Sequence, residues 1–262
     1  MTASELFHAG RLQEAIDAQV AKVKNHPTDD AARLFLFELF LFVGDLDRAR
    51  KQLDALQYDD PRHTAAIGQY RFSLAAETHR RAVFAGTEQP TGLTTAPDHV
   101  RLRLEVLSHL ARDEQAAARK KLDEANQEVP VIVGTLNGKP FKGLADADER
   151  FGTVLEVFGT AGVYTWVAME QIESITLNPP QSPRDVILRP AHLTLRDGVE
   201  GDVLLPGLYP RTYTSPDEAL KLGRATEWSD SEIACGIGGK QFLINDELSS
   251  LNDWQAIKII SS

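Results

Sequence analysis

The sequence predicts a two-domain protein of α and α+β class, with antiparallel helix pairs in the N-terminal half and a curved antiparallel sheet or small open barrel with short helices in the C-terminal half. An internal repeat of 34 residues opens the chain, and the apolar pattern changes from helical to alternating near Pro130. The chain has 262 residues, more than the roughly 100–150 that are typical of one domain. We therefore expect a helical repeat domain over residues 1–128 and an α+β domain over residues 129–262.

The repeat is visible as glycine, alanine and proline recurring at one spacing. The run Gly10-Arg11-Leu12-Gln13-Glu14-Ala15 returns as Gly44-Asp45-Leu46-Asp47-Arg48-Ala49, and Pro27 returns as Pro61. An offset of 34 residues is the period of the tetratricopeptide repeat. In that unit a small residue permits the turn between two helices, alanine lets them approach closely, and proline ends the second helix. The N-terminal half is therefore predicted to be tetratricopeptide-like.

The repeat weakens after its second copy. Thr78 and Val83 stand where glycine and alanine are expected, so we expect one unbroken helix to about Phe84. A further helix pair over residues 100–129 follows a stretch rich in glycine, threonine and proline. The helical domain should end near Glu128.

Strand signals dominate from Pro130 onward. Asn137-Gly138 predicts a two-residue hairpin turn that follows a strand, and Asp197-Gly198 predicts a second hairpin. A short helix to about Leu222 is expected, with Ser215 as its N-cap. The predicted strands cover residues 131–133, 162–169, 175–177, 191–195, 202–205 and 233–237.

Charge and composition exclude several classes of partner. The net charge of −10 gives no basic field for nucleic acid or an anionic membrane surface. The most apolar run, residues 34–43, contains Glu38 and is half the length of about twenty residues that a membrane span requires. Cys235 is the single cysteine and the N-terminus lacks a signal-peptide pattern, so we expect a cytoplasmic protein without disulfides.

Catalytic motifs are absent from the sequence. It contains no G-x-S-x-G, H-E-x-x-H, C-x-x-C or complete Walker A pattern. The Gly-rich run 236–239 is followed by Lys240, but Gln241 stands where a phosphate loop needs serine or threonine, so a turn between strands is favoured. Asp146 and Asp148 lack the other ligands of a calcium loop and are expected to be solvated or paired. We predict no catalytic residue, metal or cofactor; the enzymatic alternative is an unrecognised hydrolase using this acidic pair.

The helix over residues 34–42 is apolar nearly all round, whereas a surface helix has one apolar stripe. Two interpretations are open. Neighbouring helices and the second domain cover it, or its concave face is a groove for an amphipathic partner helix. The residues that would form this groove are Leu34, Glu38, Leu41 and Phe72.

Several runs beyond Pro130 form a recognisable series. Together with Ile172 they are Asp146-Ala147-Asp148-Glu149-Arg150-Phe151-Gly152, Val154-Leu155-Glu156-Val157, Gly162-Val163-Tyr164-Thr165-Trp166-Val167, Pro183-Arg184-Asp185, Leu205-Pro206-Gly207-Leu208-Tyr209-Pro210 and Leu222-Gly223-Arg224-Ala225-Thr226-Glu227-Trp228. In their order and spacing these runs resemble the ImpE/TagJ family, known as accessory components of type VI secretion clusters. The chain departs from the family at two places. Family members commonly have an aromatic residue after the Arg-Asp pair, where this chain has Val186-Ile187-Leu188, and a Gly-Gln-Arg-like ending where it has Gly238-Gly239-Lys240.

The resemblance implies a non-catalytic adaptor that binds the N-terminal helix of the small sheath subunit and influences sheath disassembly by the associated ATPase. A generic tetratricopeptide scaffold with another client is the alternative. We expect Arg184 and Arg224 to form ion pairs with Asp185, Asp148 or Glu156. The family-motif residues expected to have structural roles are Asp146, Asp148, Glu156, Tyr164, Trp166, Arg184, Asp185, Tyr209, Gly223, Arg224 and Trp228, and we favour the sheet core over an exposed docking patch for the aromatic members.

Overall fold

Helices occupy the N-terminal half of the computed structural model, which describes residues 1–56, 61–92 and 95–260 and, within these, the side chains of all but residues 61–66. The helices are α1 (Ala3–His8), α2 (Leu12–Asn25), α3 (Asp30–Phe42), α4 (Leu46–Asp54), α5 (Pro61–Phe84), α6 (Asp98–Ala111) and α7 (Gln115–Gln127). Helix α1 packs against α2, α3 against α4, and α6 against α7. Helix α5 is a single long helix of 24 residues between the second and third of these pairs. The predicted helix pairs are confirmed.

Local signals set the boundaries of these helices. Asp29 and Asp45 accept hydrogen bonds from backbone N–H groups in the first turns of α3 and α4, as N-cap residues do. Helix α5 ends at Phe84, as predicted. Pro61 begins α5 and does not end the preceding helix, because α4 has already ended at Asp54 and proline is favourable in the first turn of a helix.

An open, eight-stranded antiparallel sheet forms the centre of the C-terminal half, with strand order β2-β1-β13-β6-β7-β8-β4-β5. Smaller sheets have the orders β12-β11-β3 and β10-β9. The strands of the large sheet are β1 (Val133–Leu136), β2 (Lys139–Lys142), β4 (Val154–Gly159), β5 (Tyr164–Ala168), β6 (Ile172–Leu177), β7 (Leu188–Leu195), β8 (Glu200–Pro206) and β13 (Ala256–Ile260). Those of the smaller sheets are β3 (Leu144–Asp146), β9 (Thr226–Trp228), β10 (Gly236–Gly238), β11 (Gln241–Ile244) and β12 (Glu247–Ser250). The sheet does not close into a barrel.

The two predicted hairpins are present. Asn137 and Gly138 have φ of 50° and 81° between β1 and β2, as a type I′ turn requires, and Gly198 has φ of 87° between β7 and β8. One predicted helix start is wrong. The short helix α8 (Glu218–Lys221) is capped by Asp217, not by Ser215, because the Asp217 carboxylate accepts the bond from Ala219 N–H.

The two halves share a hydrophobic core. Val83 on α5 and Leu107 on α6 pack in one cluster with Phe158 and Tyr164 of the sheet. A second cluster lies mainly within α1–α5 but includes Leu222 from the C-terminal half. The change from helix to strand falls between Gln127 and Val133, while the packing continues across it.

Gly44, the repeat glycine between α3 and α4, is also a contact point for the C-terminal half. It has φ of 67°, and a Cβ atom there would lie 2.5 Å from Cγ of Tyr213. Arg81 completes the contact, because its Nη1 donates to the Gly44 carbonyl at 2.9 Å while its guanidinium lies 3.9 Å from the Tyr213 ring centre. Glycine is therefore needed for the turn and for the approach of Tyr213.

We expect Gly44→Ala to lower the free energy of unfolding by about 2–4 kcal/mol, because backbone strain and a clash with Tyr213 add. Gly138→Ala is the matched control, since Gly138 also has positive φ but a Cβ atom there would have no neighbour within 4 Å. The control should lose only about 1 kcal/mol. Chemical denaturation of the full chain measures both, and equal losses would contradict the role of the Tyr213 contact.

Candidate functional site

The middle of the predicted groove is covered by the C-terminal half. Nη1 of Arg184 donates to Oε1 of Glu38 at 2.5 Å, and the same guanidinium lies 4.5 Å from the Tyr70 ring centre. Glu38 is only 5% exposed, and burial raises its pKa against the opposing effect of Arg184. The prediction that Glu38 lies in an open groove is therefore wrong, because Arg184 of the same chain covers its carboxylate.

The other predicted groove residues differ in exposure. Leu34 and Leu41 are half-buried, and Leu41 packs against the core clusters of both halves. Phe72 on α5 is 44% exposed, which is unusual for a large aromatic side chain. Phe72 is thus the exposed member of the predicted set, whereas Leu34 is partly accessible and also packs against the core cluster of α1–α5.

A buried network of charges joins α5 to the sheet. Nε and Nη2 of Arg80 donate to the two carboxylate oxygens of Glu156 on β4, at 2.6 and 2.8 Å. Nζ of Lys240 lies 3.0 Å from Oε2 of Glu156 and 2.6 Å from Oδ2 of Asp146. Each of these four side chains is buried. A fork-shaped guanidinium contact of this kind fixes both distance and orientation.

Aromatic hydroxyl and indole groups complete the hydrogen bonding of the network. The Tyr164 hydroxyl donates to Glu156 at 2.6 Å, and Trp166 Nε1 donates to the Tyr164 hydroxyl at 2.6 Å. The Tyr209 hydroxyl donates to Asp146 at 2.9 Å. Tyr164, Trp166 and Tyr209 are all buried, so these three side chains lie in the core.

Trp228 differs from the other family-motif aromatics. It is 38% exposed and packs edge-on against Tyr209, with 5.6 Å between ring centres. The preference for core positions therefore fits three of the four aromatic residues.

Asp148 forms a separate buried pair with Arg150. Nη2 of Arg150 donates to Oδ2 of Asp148 at 2.5 Å, and Gly236 N–H donates to the same oxygen at 2.8 Å. The Asp148 N–H in turn donates to Oδ1 of Asp146 at 2.9 Å. Both aspartates are therefore buried salt-bridge partners, and their carboxylates are not free to activate water.

The network shifts the pKa values of its acids in opposite directions. Burial by itself raises the pKa of Glu156, but the charges of Arg80 and Lys240 outweigh it and lower the pKa to about 2. Burial raises the pKa of Asp146 to about 6 in spite of Lys240, and the nearby Asp148 charge adds to this rise. Glu156 is thus the stable anion of the network.

Two of the expected ion pairs are absent or weak. Arg224 donates to the carbonyl oxygens of Phe7 and His8 at 3.0 and 3.2 Å, and so caps the C-terminal end of α1. Nε of Arg184 lies 3.9 Å from Asp185, much farther than Nη1 lies from Glu38. The contacts that do form, of Arg224 with α1 and of Arg184 with Glu38, join residues distant in sequence and could not be inferred from local spacing.

Helix ends in the repeat half receive further contacts from the C-terminal half that sequence reasoning missed. The Glu218 carboxylate accepts hydrogen bonds from the N–H groups of Leu12 and Gln13, at 2.9 and 2.8 Å, at the start of α2. A carboxylate at a helix N-terminus is favourable because it satisfies free N–H groups.

Gly223 and Asp185, two of the family-motif residues, stabilise the backbone around them. Gly223 has φ of 66°, and a Cβ atom there would lie 2.9 Å from Leu208. The Asp185 carboxylate accepts from the N–H groups of Gln181 and Ser182, at 2.6 and 2.9 Å. Both residues therefore act on local chain geometry.

The Gly-rich run 236–239 has no phosphate-loop geometry. Residues 236–238 form β10, pressed against the Tyr209 ring at Gly236, and the following Lys240 is engaged by Asp146 and Glu156. The prediction of a turn between strands at 236–239 is therefore wrong, because residues 236–238 form the short strand β10. Within the described ranges there is no cluster of three or more His, Cys, Asp or Glu side chains suited to a metal ion, and no helix is long and apolar enough to cross a membrane.

We expect Glu156→Gln to reduce the free energy of unfolding by about 3–5 kcal/mol at neutral pH, because it leaves Arg80 buried with a neutral partner. The folded-state pKa is lowered from 4.5 to about 2, so the stabilising effect of the charge is present above pH 4.5 and is lost as the pH falls towards 2. The difference between wild type and variant should therefore be constant at higher pH and narrow below pH 4.5.

Asp54→Asn is the control for this prediction, because Asp54 pairs with Arg71 on the surface, where both side chains are more than half exposed. It should cost less than about 0.5 kcal/mol. Urea unfolding over a range of pH measures both variants. A similar small loss for Glu156→Gln, or a loss that does not change with pH, would show that the network is not stabilising in this way.

Comparison with known proteins agrees with this architecture. Residues 138–258 match the family model described as ImpE protein, and residues 6–69 match a tetratricopeptide repeat model. The type VI secretion system accessory component TagJ of Pseudomonas aeruginosa is 36% identical over 236 residues, which is 90% of this chain and 84% of that protein.

The crystal structure of protein VPA1032 from Vibrio parahaemolyticus has the same fold, with a TM-score of 0.87 at 23% identity, over 99% of this chain and 98% of that chain. The tetratricopeptide-like repeat, the family resemblance and the fold class are thereby confirmed. With its ImpE-type C-terminal half and its similarity to TagJ over most of its length, the chain belongs to the ImpE/TagJ family.

Proposed function

We propose that this chain is a non-enzymatic, cytoplasmic accessory protein of type VI secretion that works as an adaptor. The observation that carries the proposal is the 36% identity, over 90% of the chain, to a protein named as an accessory component of that system. The helical repeats support it, because such repeats generally present surfaces for other proteins. The buried, paired state of Asp146 and Asp148 gives no support to the alternative of a hydrolase at that site.

The proposed partner is the N-terminal helix of the small sheath subunit. An amphipathic helix binds through a few apolar anchors at its turn spacing. The exposed Phe72 and the half-buried Leu34 are suited to receive such anchors, whereas Glu38 is covered by Arg184. Through this contact the protein would influence handling of the sheath by the disassembly ATPase; a repeat scaffold with a different client is the second candidate.

We expect replacement of both Leu34 and Phe72 by aspartate to weaken binding of a synthetic sheath-subunit helix at least about a hundredfold, or roughly 2.7 kcal/mol. The change removes two apolar contacts and adds charges that binding would have to desolvate. Isothermal titration calorimetry with the full chain measures the affinity. Leu41 is unsuitable for this test, because it packs in both cores and its replacement would disturb folding.

Leu248→Asp is the matched control, since Leu248 is a 61% exposed leucine on β12 of the C-terminal half. It should bind as wild type does. Circular dichroism and melting curves must show that all variants are folded. Failure of wild type to bind the helix would contradict the proposed partner, whereas unchanged binding by the folded double variant would contradict the proposed surface alone.

A further inference from the structure

A second cleft lies between the C-terminal end of α5, helices α6 and α7, and the segments at 210–214 and 229–237. Its volume is about 500 Å³. Phe84, Leu107 and Leu110 provide an apolar wall. The size falls within the range of roughly 300–1,000 Å³ that is usual for binding sites. None of the residues predicted for the repeat groove lines this cleft.

The charged side chains that line the cleft are both arginines, Arg150 and Arg211, and no carboxylate is among the described lining residues. This is unexpected in a chain with a net charge of −10. Arg150 is only 8% exposed. Its Nε and Nη2 donate to Asp148, while Nη1 has no hydrogen-bond acceptor within the described ranges. The cleft therefore contains a nearly buried guanidinium that is paired with Asp148 on one side and has Nη1 available to donate to a ligand.

Arg211 is the second cation, at the point where this cleft joins a neighbouring one. Its side chain is exposed and forms no ion pair with any residue that the structure describes. Its backbone has φ of 65°, a conformation that residues other than glycine seldom adopt and that often occurs at functional positions. Arg211 is thus held at the cleft without an internal partner.

The neighbouring space makes the site elongated. Phe84, Pro210 and Arg211 also line a cavity of about 160 Å³ that extends to Arg81 and Tyr213. Glu77 lines this extension too, and its carboxylate already pairs with Arg81 at 2.9 Å. An elongated site whose larger part combines an apolar wall with two arginines suits a segment of polypeptide better than a compact small molecule. Guanidinium groups bind carboxylates through paired, charge-assisted hydrogen bonds, so the segment should carry acidic residues.

We propose that this cleft binds an acidic and apolar segment of a partner protein, with a carboxylate on Arg150 and Arg211 and a neighbouring apolar side chain against Phe84 and Leu107. The site is separate from the groove of the proposed function and does not depend on the identity of the sheath partner. Its occupant is recognised by chemistry that the repeat groove lacks, namely two arginines beside an apolar wall.

Cys235 provides a direct readout of occupancy, because it lines the cleft and is the single cysteine of the chain. Burial raises the pKa of its thiol, so it should react slowly with alkylating agents in the free protein. An occupant of the cleft should slow the reaction further by covering the thiol. The rate of carbamidomethylation then reports binding at this one position.

The test uses the whole 262-residue chain, iodoacetamide at mildly alkaline pH, and a capped peptide of alternating leucine and glutamate. Mass spectrometry follows modification of Cys235. The saturating peptide should slow the reaction at least about fivefold, and the same peptide with glutamine in place of glutamate should not protect, because charge-assisted bonds are about twice as strong as neutral ones. Higher salt should weaken the protection.

Arg211→Gln should raise the peptide concentration needed for half-protection about tenfold, the effect of losing one charged contact. It is suited to the test because Arg211 has no described internal partner whose loss would unfold the protein. Arg50→Gln is the matched control, an exposed arginine on α4 that does not line the cleft. It should leave half-protection unchanged.

Absence of protection by the acidic peptide overturns the proposal, as does equal protection by the glutamine peptide or an unchanged response in Arg211→Gln. Equal weakening by Arg50→Gln would show general charge attraction and would also overturn it. Octanoate is the small-molecule arm. If octanoate protects Cys235 and the peptide does not, the cleft takes small amphipathic anions and not a protein segment.

Discussion

The buried contact of Arg80 with Glu156 is the interaction on which the arrangement of the two halves depends. Arg80 belongs to α5 and Glu156 to β4, so the contact crosses from the helical half to the sheet. Arg80 also donates to the Leu208 carbonyl at 2.9 Å, and Lys240 approaches the same glutamate. Removing one partner of a buried ion pair typically costs about 3–5 kcal/mol, so the halves cannot separate here without a large penalty. The network therefore specifies one relative orientation.

That fixed orientation decides which surfaces can bind a partner. Arg184 covers Glu38 on α3, and Tyr213 packs over the turn at Gly44. Glu218 and Arg224 satisfy backbone groups at the ends of α2 and α1. The C-terminal half is thus part of the surface around the repeats, and the surfaces that remain open include the exposed Phe72 and the cleft at Arg211.

Local patterns predicted the elements but not their assembly. Gly44 and the Asn137 turn are positions where residue type and backbone conformation are tightly linked, so the helix pairs and the first hairpin were predictable. The place of β13 between β1 and β6 was not, because it joins distant parts of the chain. The same holds for the site, since Glu38 and Arg184 are 146 residues apart. A lone glutamate in an apolar helix indicates that a buried partner exists, but not which residue it is.

Thermal unfolding followed by two probes tests most directly whether the two halves unfold as one cooperative unit. All three tryptophans, at positions 166, 228 and 254, belong to the C-terminal half, whereas the long helices lie in the N-terminal half. Tryptophan fluorescence and circular dichroism at the helix band therefore follow different halves of one molecule. We predict coincident transitions with one midpoint, as expected for a cooperative unit. Two separate midpoints, with the helices melting independently of the tryptophan signal, would contradict a shared core joined by the Arg80–Glu156 contact.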